Sequence, residues 1–259
     1  MIIRPRPHGW QLLYILRGSI VPAVAPKVLA ILLLAIAVSA VVELGNVPGM
    51  ERVSSAPFAL LGLVLSIFLS FRNNACHERW WEGRKLWGQL IFESRSLARQ
   101  VQQLLPDDAP RRTRIGHLAI AFAHGLAARL RGADEAQAAR QWLDADQRVL
   151  LHDRRNTLDA LLSMMAAELA VPLHAGRLSP ILYAQLEERL HALSSIQAGC
   201  ERILATPLPF AYTLLLHRCA WLFCVLLPFG LASSLGWATP VLSAVLAYAF
   251  FGLDQLGEE

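Results

Sequence analysis

The chain has 259 residues, 55% of them hydrophobic and 17% charged, with a mean hydropathy of +0.41 and a formal net charge of +4. A soluble domain ordinarily carries about 25% charged residues, so the composition argues against a soluble enzyme and excludes an intrinsically disordered chain. Four scattered cysteines with no CxxC pair give no sign of a disulfide framework or a zinc site.

The basic residues Arg4, Arg6, Arg17 and Lys27 precede the first uncharged run, Val28 to Val42. That run begins too late for a signal peptide and lacks a small-residue cleavage site. A bilayer core needs about 20 apolar residues in helix. Residues 27–44 therefore fit a first membrane helix, with Glu43 at the far interface. Glu51 and Arg52 form a charged loop, and residues 56–71 fit a second, shorter span. No proline falls between Pro57 and Pro106, and Trp80, Trp81, Trp87, Leu90, Ile91, Leu97, Val101 and Leu104 keep helical spacing. The second span is thus expected to continue as one long helix ending by Pro106-Asp107-Asp108.

An amphipathic helix follows over 111–131, with Ile115, Leu118, Phe122, Leu126 and Leu130 on one face and Gly132 as its breaker. Weaker helices are expected over 135–152 and 156–171. Ser179-Pro180 reads as an N-cap and first-turn proline opening another, with Leu182, Leu186, Leu190 and Leu193. Cys219 to Leu253 carries no charge and would stretch about 52 Å as one helix, too long for a single span. A hairpin of helices over 210–232 and 239–253 fits better, turning at Ser233–Trp237, with Thr239-Pro240 as cap and first-turn proline. Nineteen of the 24 Lys/Arg lie between Arg72 and Arg218. By the positive-inside bias, the termini and the 72–209 region face the cytoplasm. The expected architecture is an all-α membrane protein: four membrane helices fused to a helical cytoplasmic region as one integrated domain, residues 1–259.

Motifs of catalysis and nucleotide binding are missing: no GxSxG, HExxH, Walker A or GxGxxG occurs. Cys76-His77 reads as a packed cysteine beside an interfacial histidine, and His152–Arg155 as a solvated turn. Asp107-Asp108 reads as a helix terminus. The arginines are interleaved with acids, which argues against nucleic acid. His217 and Arg218 lie within or at the edge of a span, where an arginine must face protein, water or headgroups. The second span holds two adjacent stripes. Leu63, Ile67 and Phe71 recur at i, i+4 and i+8, and Gly62, Ser66 and Ser70 run one position earlier. Small residues let membrane helices approach closely, so the small stripe suits packing in a ring of identical helices with the bulky stripe lining a narrow axis. On periodicity alone a lipid-facing stripe explains the bulky residues better. Arg72 after them reads as an anchor at the cytoplasmic interface, with a basic ring at a pore exit as the alternative.

The stretch from Ala56-Pro57-Phe58 through Phe71-Arg72-Asn73-Asn74, then Glu78-Arg79-Trp80-Trp81 and Arg84–Gly88, resembles the bestrophin family, especially its bacterial branch. So do Ile3-Arg4-Pro5, Gly18-Ser19, Ala198–Ile203, Thr206–Tyr212 and Gly252-Leu253-Asp254, in order along nearly the whole chain. The resemblance implies a homopentameric channel for small monovalent ions with one axial pore. It implies a neck formed by Leu63, Ile67 and Phe71, and a cytoplasmic aperture formed by Ile181. It further implies a bacterial inner membrane as location, copies of itself, the bilayer and permeant ions as partners, and no cofactor or metal. The acidic calcium-sensing cluster of animal members is not matched at Gly257-Glu258-Glu259, and the family ordinarily continues past this point. A non-conducting helical membrane scaffold, or a membrane-embedded enzyme built around His217 and Arg218, are the alternatives from other functional classes. The uncharged neck leaves the sign of the ion open.

Overall fold

A computed structural model describes residues 9–10, 15, 18–45, 55–152 and 155–258. The basic residues Arg4, Arg6 and Arg17, the Ile3-Arg4-Pro5 stretch, the Glu51-Arg52 loop, most of the His152–Arg155 turn and Glu259 lie outside them. Among the described residues the fold is all-helical. The chain divides into two compact units.

The first unit holds the residues up to Glu78 and from Leu208 onward. Helix α1 (Val21–Gly45) starts six residues before the expected boundary and carries Pro26 inside it. It packs against α8 (Phe210–Leu235) and α9 (Thr239–Leu256). The first part of α2 (Ala56–Leu104) completes this unit. Val24, Ile31, Leu65, Leu69, Phe223 and Phe251 meet in its core. Leu29 and Leu33 on α1 stay exposed; a helix apolar all round suits a hydrocarbon surround. By length and composition α1, α2 and the Phe210–Leu256 stretch can cross a membrane.

The hairpin closes more tightly than its sequence suggests. Ser233 to Leu235 remain helical, and the reversal is one 3₁₀ turn, Gly236–Ala238. Gly236 sits at φ +52°, where a side chain is strained, and a Cβ there would fall 2.5 Å from Glu43 Oε1. Thr239 is not the cap: it is already helical, and its buried hydroxyl has no hydrogen-bond partner among the described residues. Earlier in the chain, Gly230 lets α8 approach Phe58, whose ring lies 2.5 Å from where a Cβ would stand.

The second unit spans Arg79–Pro207. It contains the rest of α2, α3 (Ala109–Leu130), α4 (Glu135–Ala139), α5 (Ala145–His152), α6 (Thr157–His174) and α7 (Pro180–Ala205). Leu97, Phe122, Leu126, Leu161, Met165 and Leu190 form its centre. Asp108 caps α3, accepting from the Arg111 backbone N–H at 3.3 Å, and Ser179 caps α7. The helix expected over 135–152 is broken in two. After α4 the chain makes a 3₁₀ turn, Arg140–Trp142, and Leu143 is extended. Asp144 and Gln147 then exchange hydrogen bonds, Asp144 N–H to Gln147 Oε1 at 3.1 Å and Gln147 N–H to Asp144 Oδ1 at 2.9 Å, which starts α5.

Candidate functional site

Helix α2 shows two different faces within the first unit. Leu65, Leu69 and Arg72 are buried, at 6%, 0% and 1% exposure. Leu63, Ile67 and Phe71 lie on the other side and are 58%, 46% and 63% exposed. Two residues along a helix turn about 200°, so burying Leu65 and Leu69 turns Leu63, Ile67 and Phe71 outward. The small stripe is divided in its use. A Cβ on Gly62 would lie 3.1 Å from the Phe223 ring, so this glycine accommodates α8 of its own subunit. Ser66 donates to its own helix, at Leu63 O, 2.7 Å away. Ser70 is exposed.

Arg72 is neither an interfacial anchor nor part of a basic ring. It is buried, and its Nη1 pairs with Asp254 Oδ1 at 2.6 Å. The other carboxylate oxygen, Oδ2, lies 2.6 Å from His217 Nδ1. A charge inside protein must be paired or it costs several kcal/mol, and α9 supplies the pair. This triad joins α2, α8 and α9, and no local spacing announces it: Arg72 and Asp254 are 182 residues apart. The only sequence signal was Asp254 closing the Gly252-Leu253-Asp254 stretch. His217 and Arg218 do not combine; His217 turns to Asp254, and Arg218 is exposed.

His217, Asp254 and Glu258 bring potential ligand atoms within 4.8 Å of one another. Both Asp254 oxygens are already engaged, however, and a cation there would meet the Arg72 guanidinium. The group is therefore better satisfied as an ion-pair lock than as a metal centre. Cys76, read as a packed cysteine, donates its thiol to Gly257 O at 3.3 Å.

In the second unit Ile181 stands in the first turn of α7 and is 76% exposed, beside the buried Leu178. Ser179 Oγ accepts from Leu182 N–H at 3.3 Å and fixes this helix start. The preceding turn uses Gly176 at φ +69°. Arg177 reaches Asp108 at 3.5 Å. At the other end of α7, Arg79 donates to the carbonyls of Ile203 and Thr206. Arg202 pairs with Glu82. Arg129 gathers Glu135 and Glu201. Burial pulls its pKa down, but the hydrogen bonds it donates to the two carboxylates outweigh this and hold it above the usual arginine value.

The bacterial/fungal bestrophin protein family matches residues 1–259. A Mesorhizobium japonicum protein named as a voltage-dependent anion channel-forming protein is 46% identical, the alignment covering 100% of this chain and 83% of that one. An Escherichia coli K12 protein with the same description is 42% identical over 100% of this chain and 84% of its own length. The crystal structure of a bacterial bestrophin homologue from Klebsiella pneumoniae superposes with a TM-score of 0.83 at 34% identity, covering 90% of this chain and 86% of the other.

Proposed function

The chain belongs to the bacterial and fungal bestrophin family, and on that premise we propose that five copies form a channel for small monovalent ions around one axial pore. Leu63, Ile67 and Phe71 line its hydrophobic neck, and Ile181 forms a cytoplasmic aperture. The four helices α1, the first part of α2, α8 and α9 cross a bacterial inner membrane with both termini in the cytoplasm. A channel, and not an enzyme, is the reading that the family and the names of the relatives support.

The observation that carries the assignment is the two-sidedness of α2. A helix whose packed face is occupied by Leu65, Leu69 and Arg72 offers a continuous apolar row, Leu63, Ile67 and Phe71, to something outside the subunit. Repeated around an axis, such a row bars ions by dewetting, with no charged plug. The neck side chains carry no charge, and dewetting bars both signs alike. The sign of the permeant ion therefore falls to charges beside the neck.

Planar-bilayer recording tests this. Alanine at Ile67 and Phe71 should widen the neck and raise unitary conductance above that of the unchanged protein. Equal conductance and selectivity in both variants would remove the neck assignment. An oligomer with no flux in any variant would favour the scaffold.

A further inference from the structure

Along the outward face of α2, every residue from Leu63 to Asn74 is uncharged except Arg72, which is turned inward. The next charge on that face is Glu78. It stands seven residues after Phe71, so it returns to within about 20° of the same helical direction and lies about 10 Å farther along. Glu78 is exposed.

The cations that flank it in sequence are committed elsewhere. Arg72 is buried against Asp254 at 2.6 Å. Arg79 gives its guanidinium to the carbonyls of Ile203 and Thr206. The following carboxylate, Glu82, is held by Arg202. Glu78 itself enters no ion pair or hydrogen bond among the described residues, so its negative charge is uncompensated. Lys85 is the next exposed cation near that direction, seven residues beyond Glu78. Lys85 therefore stands about twice as far along α2 from Phe71 as Glu78 does.

On the neck assignment proposed above, we infer that Glu78 sets the sign of the permeant ion: five carboxylates ring the cytoplasmic end of the neck, gather small monovalent cations and repel anions. An uncharged dewetted constriction does not discriminate by sign, so a ring of like charge next to it decides which ion is concentrated at its mouth. This is a selectivity residue acting at a distance from the constriction. Its removal should alter ion preference without reopening or closing the neck.

The experiment is planar-bilayer recording of the full chain in asymmetric NaCl, comparing the unchanged protein with Glu78→Gln, Glu78→Lys and Phe71→Ala. The unchanged channel should reverse on the sodium side. Glu78→Gln should lower the cation-to-anion permeability ratio several-fold and move the reversal potential toward the chloride value, and Glu78→Lys should invert the preference. Both effects should shrink in 1 M salt, where screening shortens to about 3 Å. Phe71→Ala separates the two assignments. If Phe71→Ala raises conductance while neither Glu78 variant moves the reversal potential, the role of Glu78 is overturned and the neck stands. If Phe71→Ala changes nothing, the neck is misplaced and the inference falls with it. An unchanged channel that reverses at the chloride value also overturns it.

Discussion

Replacing Asp254 by asparagine preserves shape and removes one charge, and the structure states what that charge does. Arg72 and Asp254 are each 1% exposed and 2.6 Å apart. Arg72 Nε has no hydrogen-bond partner among the described residues, and no second carboxylate is recorded on this guanidinium. The variant therefore leaves a cation inside the helix bundle with nothing to neutralise it. Breaking a buried pair in this way costs about 3–5 kcal/mol, which at about 1.4 kcal/mol per tenfold is two to four powers of ten in the folding equilibrium. The reverse substitution, Arg72→Met, should cost less. Asp254 keeps His217 Nδ1, 2.6 Å from its other oxygen, as a hydrogen-bond donor. The double variant Arg72→Met with Asp254→Leu should recover much of the loss, because both desolvation penalties vanish together. The assay is denaturant unfolding of the purified protein in detergent micelles for the four forms. A loss for Asp254→Asn within about 0.5 kcal/mol, the range of an ordinary surface change, would refute the reasoning. So would an Arg72→Met loss larger than that of Asp254→Asn.

Gly230→Ala should lower the melting temperature more than Gly199→Ala. The first sets a Cβ 2.5 Å from the Phe58 ring, while the second meets the mobile methyl end of Leu86 at 2.9 Å. Asp108 is held below the usual carboxylate range, first by the Arg111 side-chain hydrogen bond, against a smaller opposing effect of burial. Its folded pKa is depressed, so its stabilisation is present above the unfolded value of about 3.9 and is lost as pH falls through the folded one. Asp108→Asn should accordingly melt below the unchanged protein at pH 7, with the gap closing toward pH 3; a gap independent of pH would contradict this. Burial, and then the neighbouring Glu201, push the Cys200 thiol up. Mass spectrometry after maleimide treatment at pH 8 should find Cys200 unmodified in the folded protein and labelled after unfolding.

The helices were legible where the signal is local. The unbroken run of α2 follows from the absence of proline between Pro57 and Pro106, and the start of α7 from Ser179-Pro180; α3 begins at Ala109, two residues before the expected start, because Asp108 caps it. The break near Asp144 has a local signal too, the Asp144–Gln147 spacing of a capping box, which the reading of 135–152 as one weak helix passes over. The orientation of α2 was not legible. Leu65 and Leu69 are as apolar as Leu63 and Ile67, so hydropathy alone does not say which row packs. The deciding residue is Arg72, and its direction depends on a carboxylate 182 positions away. Sequence reasoning applied the correct rule, that a charge near a span seeks an interface, to a residue whose partner had not yet been placed.

Phe71 and Arg72 are consecutive, and this adjacency ties the anchor to the proposed neck. On a helix they diverge by about 100°, so fixing Arg72 against Asp254 fixes the rotation of α2 about its own axis, and with it the direction of Phe71, Ile67 and Leu63. The hydrophobic contacts of α2 are a weak substitute in one sense of rotation, because turning by one residue toward Val64 and Phe68 would exchange leucine for valine or phenylalanine at little cost in buried area. The ion pair is therefore the element that distinguishes one rotation from the next, and such use of a buried pair to set register has precedent in helical assemblies. Its consequence is measurable apart from stability. Asp254→Asn protein that remains folded at low temperature should show a wider spread of unitary conductance levels than the unchanged channel. Gly199→Ala, a packing change in the second unit, should not. An equally narrow spread in both would leave Arg72 and Asp254 a role in stability alone, and the rotation of α2 would then have to be set by contacts between subunits.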